Sequence, residues 1–176
     1  MTMTINEPTT QERADLLVML AKHRHFLRFT TRDLTDEQAG QRTTASELCL
    51  GGLIKHVTAV ERNWVNTIVD GPSAMPDFTE LTEEDYARRA DEFRMLPGET
   101  LEGVLAAYDE VARRTDGLVD TLPDLDALLP LPKAPWFQET HWSVRRVFLH
   151  IIAETSQHAG HADIIREALD GSKTMG

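Results

Sequence analysis

From His150 to Gly171 the chain reads HIIAETSQHAGHADIIREALDG, and its first twelve residues hold three histidines and one glutamate, at positions 150, 154, 158 and 161. Imidazole nitrogens and carboxylate oxygens are the donors that borderline divalent metals take from proteins. An α-helix turns about 100° per residue, which places Glu154 about 40°, His158 about 80° and His161 about 20° from His150. Val147, Ile151, Thr155, Ile165 and Leu169 centre at roughly 90–100° on the same wheel. Glu154 and His158 therefore point close to the core, and His150 and His161 sit toward its edge. A carboxylate aimed at an apolar interior is costly unless it meets a cation, a proton or a metal.

Two ligands from one helix need a third from a facing element. His56 in GGLIKHVTAVERNW fits, beside Val57, Val60 and Trp64 on the apolar edge of its own segment. His56, Glu154 and His158 would form a two-histidine, one-carboxylate set with open positions. That set is typical of catalytic zinc, and a facial arrangement also suits iron, nickel or manganese. Spacing alone leaves other readings open. Histidines at a helix edge are more often hydrogen-bonded core residues than ligands, and Arg145 or Arg146 would serve Glu154 as an ion-pair partner. His23, His25, His141, His150 and His161 read as structural, supporting or exposed, with His161, one turn beyond His158, the main exception. Tyr86, Tyr108 and His161 are the candidates for proton transfer; no catalytic or cofactor-binding residue is assigned beyond the metal set.

Four long segments must position these residues. The first follows Pro8, with Thr9 and Glu12 as a capping box and Leu16, Leu20, His23 and Leu27 at helical spacing. A short turn of helix in LTDEQAGQR has its own box, Thr35 with Gln38. The second long segment is expected to start at a Thr44–Glu47 box and stop at Asp70-Gly71, burying Leu53, Val57, Val60, Trp64 and Ile68. Within it, Gly51-Gly52 costs about 1 kcal/mol per glycine against alanine, which is best repaid where another backbone comes close. Cys49 is expected on the apolar side of this helix as a small buried hydrophobe. The third segment runs from about Thr100 to Leu122, with Leu101, Val104, Leu105, Tyr108, Val111, Leu118 and Val119 on its apolar face. The fourth runs from Ser143 to Gly171.

No stretch gives a run of strand alternation, so the expected class is all-α, with four amphipathic helices packed as a bundle. The long connection between the second and third helices contains a short helix in LTEEDYARRADEFRM and can cross the bundle, so those two helices need not be antiparallel neighbours. The segment 123–142, with prolines at 123, 130, 132 and 135, is expected to fold its Trp136, Phe137 and Trp142 over the bundle mouth as a lid.

The 176 residues suit one domain, 1–176. A net charge of −11 argues against nucleic acid and against anionic membrane surfaces as partners. One cysteine excludes an internal disulfide and a cysteine-based zinc site. With no apolar run near the ~18 residues that span a bilayer and no signal-peptide pattern, the expected location is cytoplasmic.

LCLGGLIKHVTAVERNW and LHIIAETSQHAGHADIIREALDG resemble the second- and fourth-helix signatures of the DinB-like superfamily, and LTDEQ between the first two helices fits as well. The resemblance covers essentially the whole chain, within an uncharacterised bacterial branch. It implies a four-helix bundle in up-down-down-up order, often a homodimer, with a divalent metal between the second and fourth helices. Many relatives use three histidines; Glu154 at the middle ligand position is instead similar to the mycothiol-dependent maleylpyruvate isomerases. The added negative charge favours zinc, with nickel or iron as alternatives. Members with known activity imply a thiol-dependent transferase or isomerase, in which a low-molecular-weight thiol of the mycothiol kind attacks a small-molecule electrophile. A metal-dependent hydrolase and a non-enzymatic, stress-related helical dimer are the competing expectations.

Overall fold

The computed structural model describes residues 10–174. Six helices and one short ribbon follow in order: α1 (Gln11–Phe29), α2 (Asp36–Gly40), α3 (Leu50–Asp70), a 3-10 turn (Pro72–Ala74), α4 (Glu83–Asp91), α5 (Leu101–Thr121), β1 (Leu128–Pro130), β2 (His141–Ser143) and α6 (Val144–Asp170). The fold is all-α apart from that ribbon. Among the described residues, no helix is long and apolar enough to cross a membrane.

Local chemistry sets most of the boundaries. Thr10 caps α1, accepting from the Arg13 N–H; Thr9, the expected cap, lies outside the described residues. Capping boxes open α2 (Thr35 with Gln38) and α4 (Thr82 with Asp85), and Thr100 and Ser143 cap α5 and α6. Gly171 stops α6 in the left-handed region, φ 79°, where only glycine is free of strain.

Two expectations at α3 are corrected. The helix does not start at a Thr44–Glu47 box, because the Thr44 and Ser46 hydroxyls accept from Ser46 N–H and Leu48 N–H and hold 44–48 in turns. Glu47 instead pairs with Arg42. Cys49, expected inside the helix, is its N-cap: its buried Sγ accepts from the Gly52 N–H at 3.4 Å and faces the Phe93 carbonyl at 3.7 Å. The small buried hydrophobe doubles as a helix cap.

The four long helices close a ring, α1 packing on α6 and α5, and α3 on α5 and α6. Named contacts fix which ends meet. Arg13, near the start of α1, donates to the carbonyls of Val119 and Leu122 at the end of α5, while Arg28 pairs with Asp109. Lys55 reaches Glu99 beside the start of α5, and Arg114 reaches Asn66. Arg145 pairs with Glu12, and Arg166 donates to the Thr30 carbonyl at the far end. α3 and α5, joined by the long connection, are direct neighbours.

One apolar cluster gathers around Leu20, Trp64, Val119, Phe148 and Ile151, and a second around Leu27, Leu53, Ile54, Tyr108 and Ile165. Between α1, α3 and α5 lies an ion pair that the apolar stripes do not announce. Arg24 binds Glu61 at 2.5 Å and Asp116 at 2.8 Å, and Glu61, fully buried, also accepts from the Thr115 hydroxyl. In α1, Arg24 takes the fully buried position and His23 only half-buries.

The 123–142 segment is not structureless. Leu129 pairs with Trp142 at the centre of an antiparallel ribbon. Strand alternation is too short here to register in the sequence, since each strand has only three residues. The ribbon buries Trp142 flat against Trp64 of α3, with ring centroids 5.1 Å apart at 12°, and brings Phe137 against both.

Candidate metal centre

α3 supplies His56 and α6 supplies Glu154 and His158, and one ligand atom of each lies within 4.8 Å of the others. The His56 and His158 rings meet edge to face at 4.9 Å, and His158 Nε2 is 3.6 Å from Glu154 Oε2. The three residues singled out from spacing are brought together by two separate helices. His56 is buried and the other two are only half-buried, so Glu154 and His158 lie nearer the edge of the core than the helical wheel places them.

Glu154 has histidines, not arginines, for neighbours. Arg145 is taken by Glu12 and Asp126, and Arg146 by Glu139 while its guanidinium lies over Trp142. His150 Nε2 lies 3.8 Å from the carboxylate on the side opposite His158 in sequence. The His158 imidazole beside it holds the Glu154 carboxyl below its ordinary range, against the opposing effect of burial. Burial pushes His150 down, so it is uncharged at neutral pH. The result is an anionic carboxylate ringed by imidazoles with no lysine or arginine paired to it among the described residues. Two imidazoles and one carboxylate from facing helices are a donor set that fits a divalent cation.

Two residues absent from the sequence reading complete the surroundings. Glu92 Oε2 lies 3.4 Å from His56 Nδ1, and the Phe93 ring stacks on His56 at 4.0 Å. They reach it because the segment after α4 lies directly on the start of α3. A Cβ on Gly52 would overlap the Phe93 carbonyl, and one on Gly51 would overlap Met95. Lys55 ties the same segment down, donating to the Asp91 and Arg94 carbonyls at 3.0 and 2.9 Å and to Glu99 at 2.7 Å. The Gly51-Gly52 pair marked the close approach, but nothing in the sequence said which backbone would fill it.

With Nδ1 facing Glu92, His56 keeps Nε2 for the cluster. His158 divides its nitrogens likewise: Nε2 toward Glu154, and Nδ1 toward His161 Nδ1 at 3.5 Å. His161, exposed, thus stands behind His158 and outside the three-residue group. Of the proton-transfer candidates, Tyr86 is exposed on α4, and Tyr108 is sealed in the core with no polar partner among the described residues. Burial pushes the Tyr108 hydroxyl far above its ordinary range, which removes it as a base. His23, His25 and His141 take no part in the cluster.

A cleft of about 290 Å³ opens on the Glu154 side, lined by Val60, Asn63 and Trp64 of α3, by Met75, Phe78 and Arg89 of the long connection, by Trp136 and Phe137 of the ribbon segment, and by His150 and Glu154. The expected lid therefore forms one wall of a pocket. A larger cleft, about 470 Å³, runs between α3 and α5 but reaches only Glu92 of the residues around the cluster.

The mainly helical fold, with its single two-stranded ribbon, is that of a DinB-like protein. A conserved protein from Enterococcus faecalis shares the fold with a TM-score of 0.65 at 11% identity, over 90% of this chain and 97% of that one. A protein from Streptococcus pneumoniae does so with a TM-score of 0.61 at 13% identity, over 92% and 90% of the two chains. No curated protein matches the chain significantly. The chain belongs to the mycothiol S-transferase family, whose sequence profile matches residues 15–171.

Proposed function

We propose that this protein binds a divalent metal, zinc in the first instance, through His56, Glu154 and His158, and transfers a low-molecular-weight thiol of the mycothiol class to a small electrophile. One observation carries the reading: an ionised Glu154 in a half-buried cluster of imidazoles, with Arg145 and Arg146 engaged elsewhere. Membership of the mycothiol S-transferase family supports the thiol.

A divalent cation held by His56, Glu154 and His158 would favour a thiolate over the thiol and so supply a nucleophile at neutral pH. His150, uncharged and lining the cleft, can accept the thiol proton at Nε2. The sulfur then bonds to the electrophilic carbon, and either a leaving group departs with the displaced electron pair or the proton returns to the neighbouring carbon of an unsaturated acceptor. Trp136 and Phe137 keep water from that carbon. Glu92 and His161 orient the two imidazoles from behind.

We also read the four long helices as an up-down-down-up bundle. Support comes from the contacts that join start to end for α1 with α5, start to start for α3 with α5, and start to start for α1 with α6.

The test is metal content per chain by elemental mass spectrometry, paired with thiol conjugation to a bimane electrophile. Near one metal per chain and thiol-dependent turnover are expected, both lost in His158→Ala. Absence of metal after incubation with divalent ions would overturn the reading, and ester turnover without thiol would replace it by hydrolysis.

A further inference from the structure

The cleft beside Glu154 is more specific than a water-excluding wall requires. In a chain with 6% aromatic residues, Trp64, Phe78, Trp136 and Phe137 all face this one space. Phe78 and Trp136 lie 5.0 Å apart and Trp136 and Phe137 6.0 Å apart, in tilted contact, so that the rings line the cleft as one aromatic wall. Trp136 remains 57% exposed, a large apolar surface that a bound molecule would cover. The volume, about 290 Å³, is at the lower end for small-molecule sites and suits one ring with a short side arm.

The cleft also carries one cation. Arg89 lines it with its guanidinium 5.6 Å from the Phe78 ring centroid. Its neighbours Arg88 and Arg94 are paired with Asp85 and Asp91, whereas Arg89 has no acidic partner within 4.0 Å among the described residues. Glu154 lines the same cleft without pairing to it, so opposite charges are held apart within one aromatic-walled cleft. A guanidinium presents a planar donor fork that matches a carboxylate.

We propose that the cleft takes a planar, conjugated or aromatic monocarboxylate, with its carboxylate on Arg89, its ring against the aromatic wall, and its reactive carbon directed toward the Glu154 end. The assignment names the substrate class of the reaction proposed above and rests on that reading for its chemistry, but not for its binding.

Cinnamate and its uncharged isostere cinnamamide are the probes, followed by calorimetry and by the indole N–H resonances in nitrogen-15 spectra of the protein as purified. The chain has three tryptophans, and Trp64 and Trp136 line the cleft while Trp142 stacks behind Trp64. Cinnamate is expected to shift the Trp64 and Trp136 signals and to bind more tightly than cinnamamide. Because a hydrogen bond to a charged group is worth ~1.5–3 kcal/mol, Arg89→Gln should weaken cinnamate roughly tenfold or more. Cinnamamide should lose less than about twofold in that variant, which also shows that the exposed position tolerates the change. Trp136→Ala should weaken both probes. Equal affinity for the two probes, an unchanged cinnamate affinity in Arg89→Gln, or binding without indole shifts would overturn the proposal. Binding needs neither thiol nor turnover, so a protein that takes cinnamate but transfers no thiol separates failure of the activity from failure of the cleft.

Discussion

At the scale of single residues, the site depends on how each side chain uses its second polar atom. His56 and His158 turn one nitrogen each to Glu92 and His161, leaving the other for the cluster. Such outer partners fix ring orientation and tautomer, and losing one typically weakens metal affinity by ~10–100-fold. Glu92→Gln is therefore expected to lower zinc affinity within that range, with the protein still folded, measured by competition with a chromophoric chelator. An unchanged affinity would make Glu92 a bystander. The Glu92 contribution was not legible in the sequence, because it comes from 36 residues away and no periodicity links it to His56.

Among the elements, α3 is the one on which the site is built. It carries His56, the glycine pair and Trp64, and so contacts the α4 segment, the ribbon and α6 at once. Gly52→Ala would drive a methyl group into the Phe93 carbonyl, a backbone atom that can move only with its segment. Overpacking of this kind costs ~1–3 kcal/mol. Gly51→Ala meets mainly the flexible end of Met95 and should cost less. Urea unfolding checks the order, and equal midpoints for the two variants would refute it. Because Gly52 also seats the segment bearing Glu92 and Phe93, the same variant should bind zinc more weakly than Gly51→Ala does.

For the whole molecule, the Arg24–Glu61 pair ties α1 to α3, with Asp116 and Thr115 adding α5. The carboxylates raise Arg24 above its ordinary range even though burial opposes that shift. Removing one partner strands a buried charge, so Glu61→Leu should destabilise the fold by about 3–5 kcal/mol. Replacing both, as in Arg24→Met with Glu61→Leu, should cost much less than that. Denaturant melts of the three proteins decide the matter: a double variant as unstable as Glu61→Leu would mean the pair is a net stabiliser rather than a compensated polar bridge.

What the sequence determined by itself is what local rules govern. Helical spacing of apolar residues, the Thr35–Gln38 box and the stop at Gly171 come from interactions within a few residues, so α2, α5 and α6 were legible at nearly their observed bounds, while α4 was legible as a short helix without its cap. The i, i+4 spacing likewise placed Glu154 and His158 on one face, and the apolar edge of α3 pointed to His56. The tertiary structure decided what depends on the meeting of distant segments. It settled that Arg145 and Arg146 pair elsewhere, that Cys49 caps α3 because 44–48 turn, and that a ribbon too short to show alternation seats Trp142 on Trp64. It also placed Arg89 on a cleft with an aromatic wall. Local hydrogen bonds and periodicity are encoded residue by residue, whereas the choice among many chemically equivalent charge partners and packing faces is made only when the helices close on one another.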